Sequence, residues 1–292
     1  MSTTTTTITA TSTTLSGHEQ DATYIPRGPV EATLTFYAPP EDGSRPFNYV
    51  ETPPPGEPRR NYRDDIQKVT IGDIRNHESE YTLDRDAFQT LQNIHTAAEP
   101  SFTDEENIKS VYYPEVEQLI LKHVPGAHRV LIFDHTIRRS NPDAARGPVL
   151  RTHIDQTPAS AKKRVEYHLP EEAEELLKGR YRIINVWRPL NGPVQSSPLA
   201  FASSVSVRDQ DVVGVEHRYP DRTGEVAGVI YNESQKWHYW SGMTNEERLL
   251  LKCSDSGDVE GKRGPHTAFV DSRTPPGAPG RESIEVRTLV FG

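Results

Sequence analysis

RVLIFDHTI, residues 129–137, is the stretch at which the character of the chain turns. It is β-branched and aromatic-rich and reads as a strand. Before it, apolar residues recur at helical spacing. After it come short runs of strand character: Tyr181–Trp187, Leu199–Val207, Val226–Tyr231, Lys236–Trp240, Leu249–Ser254, Thr267–Val270 and Ile284–Val290. Only one short amphipathic helix, Glu171–Lys178, interrupts them. Eight or so strands without long helices between them fit an antiparallel barrel or double sheet, the jelly-roll solution. A parallel α/β sheet would need crossover helices that this half of the chain lacks.

Working back from residue 129, the sequence predicts a helix over Asp104–His123, with Ile108, Val111, Tyr112, Val116, Leu119 and Ile120 as its apolar stripe. Thr103 is the candidate cap, Glu106 lying three positions on, and Pro114 shifts or bends the helix start. A second helix is expected over Leu83–Thr96, with strands at Val30–Tyr37 and Gln67–Ile71. Thr52–Arg59 holds four prolines and a glycine and reads as a loop. The start, MSTTTTTITATSTTLSGHEQ, has almost nothing to bury and reads as a disordered Thr/Ser-rich tail. It lacks the basic and apolar regions of a secretory signal. The expected organisation is therefore a tail over 1–21, supporting strands and helices over 22–126, and a mainly β core over 127–292.

Composition narrows the function. Thirty-three basic against 42 acidic residues give a net charge of −9 with no basic block, which argues against nucleic acid. No run reaches the roughly 18 apolar residues of a membrane span. Cys253 is the single cysteine, so internal disulfides and cysteine-rich zinc sites are excluded. The thiol reads as a small buried hydrophobe. A cytoplasmic protein is the simplest expectation, monomeric or, if a sheet edge pairs, homodimeric.

The chemistry starts at VLRTHIDQTP, residues 149–158. If the segment is extended, His153 and Asp155 project from one face. They are two thirds of the two-histidine, one-carboxylate face of non-haem iron sites. Three histidines compete as the third ligand. His266 opens a strand-like run after Gly264–Pro265, which permits close backbone approach; His217 adjoins a charged loop and reads as solvated; His238 sits among Trp237, Tyr239 and Trp240 and reads as pocket wall or core.

NVWRPLNGPVQSSPLA (185–200), KWHYWSGMTNEERLLLKCSDS (236–256), GPHTAFVD (264–271) and RESIEVR (281–287) together resemble the fungal hydroxylase/desaturase family, similar to gibberellin desaturase-like and cephalosporin 7-alpha-hydroxylase-like proteins. The likeness runs from about Thr33 to Phe291. It implies a double-stranded β-helix (cupin-like) core and an iron(II)- and 2-oxoglutarate-dependent oxygenase of secondary metabolism, using O2 on a small-molecule substrate. By motif, His153, Asp155 and His266 match the iron ligands, and Arg281 with Ser283 match the Arg-x-Ser that holds 2-oxoglutarate. Ala87-Phe88 stands where family members often have Gly-Phe. Arg281 falls 15 residues after His266, a looser spacing than usual, with TPPGAPG between. Arg273, seven residues after His266, is therefore a rival.

An arginine presents a rigid fork to a carboxylate, and a serine two residues on in a strand reaches the same side. Substrate contacts are expected from His135, Asn185, Arg188 and Trp240. The alternatives are a cupin-like Zn²⁺ or Mn²⁺ hydrolase or isomerase, and a catalytically silent jelly roll that binds a small molecule or a protein.

Overall fold

The computed structural model describes residues 23–140 and 146–292; the tail over 1–21 lies outside them. Fourteen strands run in chain order: β1 (Val30–Ala38), β2 (Phe47–Tyr49), β3 (Arg63–Asp73), β4 (Phe88–Leu91), β5 (Arg129–Arg139), β6 (His153–Ile154) and β7 (Tyr181–Pro189). The second half holds β8 (Leu199–Ala202), β9 (Val212–Arg218), β10 (Thr223–Val229), β11 (Trp237–Tyr239), β12 (Arg248–Asp255), β13 (His266–Ala268) and β14 (Glu282–Phe291). They form a nine-stranded sheet, β1-β3-β11-β8-β13-β6-β10-β9-β2, and a five-stranded antiparallel sheet, β4-β12-β7-β14-β5. The larger sheet curls until Thr35 of β1 accepts from the Thr152 amide at 2.8 Å, beside the short β6. The fold is mainly β with a jelly-roll core.

β14 shows how the sequence sorts the two faces. Ile284, Val286 and Val290 join one apolar cluster with Val116, Leu119 and Ile120 of the helix Tyr113–His123. The alternate residues Ser283, Glu285, Arg287 and Leu289 turn to the other side, where Leu289 meets Ile154, Ala227 and Trp237 of the larger sheet. Chemistry carried on the odd-numbered positions of β14 therefore lies between the sheets. Burying a large apolar side chain in such a core contributes about 1.5–3 kcal/mol.

Several expectations change. The helix over Leu83–Thr96 is a single turn, Leu83–Asp86, ended by Ala87 at φ 64°. Phe88–Leu91 then pairs with Arg248–Leu251 as an edge strand, so tertiary pairing overrides the helical spacing. The Asp104–His123 helix forms, but Asp104 caps it, accepting from the amides of Glu106 and Asn107, and a π-helical turn over Ile108–Tyr112 absorbs Pro114. The helix Pro158–His168 was not foreseen. Thr157 and Ser160 cap it reciprocally and Pro158 opens it, so the chain leaves β6 and becomes helical three residues beyond Asp155. Residues before 127 supply strands to both sheets as well as the outer helix.

Candidate metal and co-substrate site

The antiparallel pair β6–β13 sets His153 directly opposite His266, with ring centroids 4.4 Å apart. Two residues before His266, Gly264 lies close against the Ala87 carbonyl, where an added Cβ would be 3.2 Å from the oxygen. Each imidazole is oriented by a main-chain carbonyl: His153 Nδ1–H donates to Arg151 at 2.8 Å, and His266 Nδ1–H to Gly264 at 3.1 Å. Both Nε2 atoms are thereby left as lone-pair donors. Asp155 directs Oδ1 to within 3.4 Å of His153 Nε2. One ligand atom from each of His153, Asp155 and His266 lies within 4.8 Å of the others, a cluster that could hold a metal ion.

The second oxygen of Asp155 is already engaged. Oδ2 accepts from Asn185 Nδ2 at 2.8 Å and from Arg287 Nε at 2.9 Å; Asn185 and Arg287 are register partners on β7 and β14. Arg287 in turn meets Asp134 at 3.0 Å, Thr136 at 2.9 Å and Glu285 at 2.6 Å. Burial favours the neutral acid at Asp155, but the Arg287 guanidinium and the His153 hydrogen bond outweigh it and hold the carboxyl well below its ordinary range. Burial, with His153 adding, pushes His266 down to about 4, so its neutral, ligating form persists at neutral pH.

Arg281 precedes β14 and is 3% exposed. Its guanidinium lies 5.2 Å from the Trp187 ring, and its Nε and Nη1 have no hydrogen-bond partner. Burial, reinforced by Arg138, lowers its pKa to about 9. A buried fork with idle donors suits a carboxylate. Ser283, 1% exposed, is two residues on along the same side. Arg273 differs: its donors are taken by Asp271, by the Tyr239 hydroxyl and by the carbonyls of Arg27 and Pro29.

His153 and Asp155 open into a cavity of about 640 Å³, walled by Tyr37, Tyr62, Arg138, Arg164, His217 and others. His217, expected to be solvated, lies on β9 and lines this cavity; burial and nearby His153 lower its pKa. It is outside the metal-capable cluster, as is His238, which packs against Tyr81 and Phe88. Of the expected substrate contacts, Asn185 meets the site through Asp155. The other three lie elsewhere. His135 is paired with Val286, on the helix-covered face, and bonds the Tyr113 hydroxyl at 2.8 Å. Arg188 is buried on that face, over the Phe102 ring at 5.2 Å. Trp240 donates to Glu78 at 2.9 Å and stacks under Arg75. The sequence reading missed Arg287, although RESIEVR carries its signal: Arg281, Ser283, Glu285 and Arg287 are spaced by two.

This fold and this donor set define a class, and comparison with known proteins agrees. A family model described as an oxidoreductase/YMDC permease-like domain matches residues 34–291. No helix among the described residues is long and apolar enough to cross a membrane. The hydroxylase/desaturase poxK of Penicillium oxalicum is 37% identical, over 95% of this chain and 96% of its own length. The alpha-ketoglutarate-dependent dioxygenase phiK of a fungal species is 34% identical, over 90% and 96%. Among solved structures, the iron and alpha-ketoglutarate-dependent endoperoxidase NvfI superposes with a TM-score of 0.83 at 30% identity, covering 91% of this chain and 99% of that one.

The chain belongs to the family of fungal iron(II)/2-oxoglutarate-dependent hydroxylases and desaturases. It is a dioxygenase that depends on iron(II) and 2-oxoglutarate, and the hydrolase and silent-binder alternatives are set aside.

Proposed function

We propose that His153, Asp155 and His266 hold iron(II), that Arg281 with Ser283 holds the distal carboxylate of 2-oxoglutarate, and that the cavity beside them receives a small-molecule secondary-metabolite intermediate. The observation that carries this reading is the pairing of a three-ligand cluster with a buried arginine whose donors are idle. Bound iron, with 2-oxoglutarate and O2, supplies oxidation of an unactivated C–H bond, and the protein selects which carbon is presented.

The residues do the rest. Arg151 and Gly264 carbonyls fix the tautomers of the two histidines. Asn185 and Arg287 occupy Asp155 Oδ2 and leave Oδ1 as the ligand. Hydroxylation, desaturation and oxidative cyclisation are all compatible outcomes, decided by the carbon that the cavity presents. We assign catalysis to 127–292, with 22–126 completing the sheets, in a cytoplasmic monomer or homodimer that engages neither nucleic acid nor membrane.

The test is succinate formation against 2-oxoglutarate concentration, with bound iron as control. Arg281→Ala should raise the 2-oxoglutarate requirement about thirty- to several-thousand-fold, the effect of removing one partner of a buried charge pair. Arg281→Lys should weaken it less, and Ser283→Ala less still, near a neutral hydrogen bond. Unchanged use by Arg281→Ala together with impaired use by Arg273→Ala would move the clamp to Arg273.

A further inference from the structure

We propose that the substrate of this oxygenase is an organic anion, held through its carboxylate by arginines in the cavity wall. The proposal rests on the oxygenase reading and adds the chemical class of its substrate. Six arginines line the cavity (Arg138, Arg146, Arg151, Arg164, Arg222 and Arg287) against two carboxylates, Asp134 and Asp155. Both carboxylates are bound by Arg287. Arg151 pairs with Asp64 at 2.5 Å, and Arg222 lies 3.4 Å from Asp221.

Three guanidinium groups have no carboxylate within salt-bridge distance among the described residues, although Arg138 lies in the field of Glu285 and Asp155, both already paired with Arg287. Arg138 donates to the Gly147 carbonyl at 3.1 Å, Arg146 reaches the Thr136 hydroxyl at 3.5 Å, and Arg164 lies 4.8 Å from the Phe133 ring. Acidic partners were not scarce, since the chain has 42 acidic residues against 33 basic ones. A chain of net charge −9 thus turns a positive concavity toward the metal ligands. Such a concavity concentrates anions, and a guanidinium fork matches a carboxylate in shape as well as charge.

The co-substrate does not account for all three. Its distal carboxylate is assigned to Arg281, which is outside this wall, and Arg138 is near enough to Arg281 to add to its field. Arg146 and Arg164 are left for a second anion. Val149, Val215, Val226 and Ala227 add apolar surface to the same wall, so the ligand carries an apolar body with an acidic end. The cavity volume suits a molecule of that size.

The test uses two fluorescent probes with one arylamine body, anilinonaphthalene sulfonate and neutral phenylnaphthylamine. They are titrated into full-length protein loaded with Zn²⁺ and saturated with 2-oxoglutarate. The expected result is that the sulfonate binds about ten- to a hundredfold more tightly, the effect of one or two charge-assisted hydrogen bonds. Arg146→Gln/Arg164→Gln should erase most of that advantage while zinc content and 2-oxoglutarate affinity stay at wild-type values. Both side chains touch solvent, so folding should survive. Equal binding of the two probes to loaded protein, an advantage that persists in the double variant, or release of the sulfonate by further 2-oxoglutarate overturns the proposal alone. Failure of the wild type to hold zinc and 2-oxoglutarate would instead overturn the oxygenase reading beneath it.

Discussion

Replacing Arg287 with glutamine should loosen the metal site without touching a metal ligand. The side chain bonds Asp155 at 2.9 Å, Asp134 at 3.0 Å, Thr136 at 2.9 Å and Glu285 at 2.6 Å. Asp155 and Glu285 are 9% and 8% exposed, so its removal leaves two largely buried carboxyl groups without their shared counter-charge. Breaking a buried pair from one side costs about 3–5 kcal/mol. A bound divalent cation restores positive charge beside Asp155, so the metal-free protein should lose more stability than the loaded one.

Metal affinity should fall about ten- to a hundredfold, the usual effect of losing a partner that orients a ligand. The sign with pH follows from Asp155, whose native pKa is depressed. Such a group stabilises the native state above its unfolded value of about 3.9, and that contribution fades as pH falls through the native value. Without Arg287, burial pushes the carboxyl upward, so protons compete with metal at higher pH than in wild type. Zinc titrations at about pH 6 and about pH 8, with melting curves of both forms, measure this. Arg287→Lys should be intermediate. Wild-type zinc affinity at both pH values, with unchanged melting of the metal-free protein, would refute the argument.

Other outcomes follow from particular contacts. Gly228 is opposite His153 in register, and a Cβ there would lie 2.8 Å from the Tyr37 ring; Gly228→Ala should cost about 1–3 kcal/mol and narrow the cavity, read as a lower melting point and weaker probe binding. Cys253 is 1% exposed and burial raises its thiol well above the ordinary range, so native protein should resist thiol reagents until it unfolds. His135→Gln should leave metal and 2-oxoglutarate binding unchanged, because the ring is on the helix-covered face; both are read by titration.

The sequence was most informative where a period of two met a buried sheet. β7 and β14 announce themselves by composition, and the spacing of two paired His153 with Asp155, although β6 ends at Ile154 and Asp155 stands just beyond it. The same rule separates Asn185 from Arg188, three apart on β7. One reaches Asp155 and the other packs under helices, although both were expected as substrate contacts. The false helix over Leu83–Thr96 has another origin. Its apolar spacing is genuine, but β12 needed an edge partner, and Ala87 in the left-handed region breaks the turn. His217 adjoins a charged loop, and only β9 pairing with β10 turns it toward the cavity. Arg287 was only half legible: RESIEVR places it on one side with Glu285, but its role depends on Asp155, Asn185 and Asp134, which no local pattern brings to it.

The central claim is that His153, Asp155 and His266 hold iron(II) and that 2-oxoglutarate binds at that iron. Anaerobic titration of metal-free protein with iron(II), then with 2-oxoglutarate, tests it most directly. The account predicts one iron per chain and a weak visible charge-transfer band on adding 2-oxoglutarate, with His266→Ala and Asp155→Ala losing tightly held iron while remaining folded. It is contradicted if His266→Ala keeps wild-type iron and the band, while His217→Ala or His238→Ala loses them.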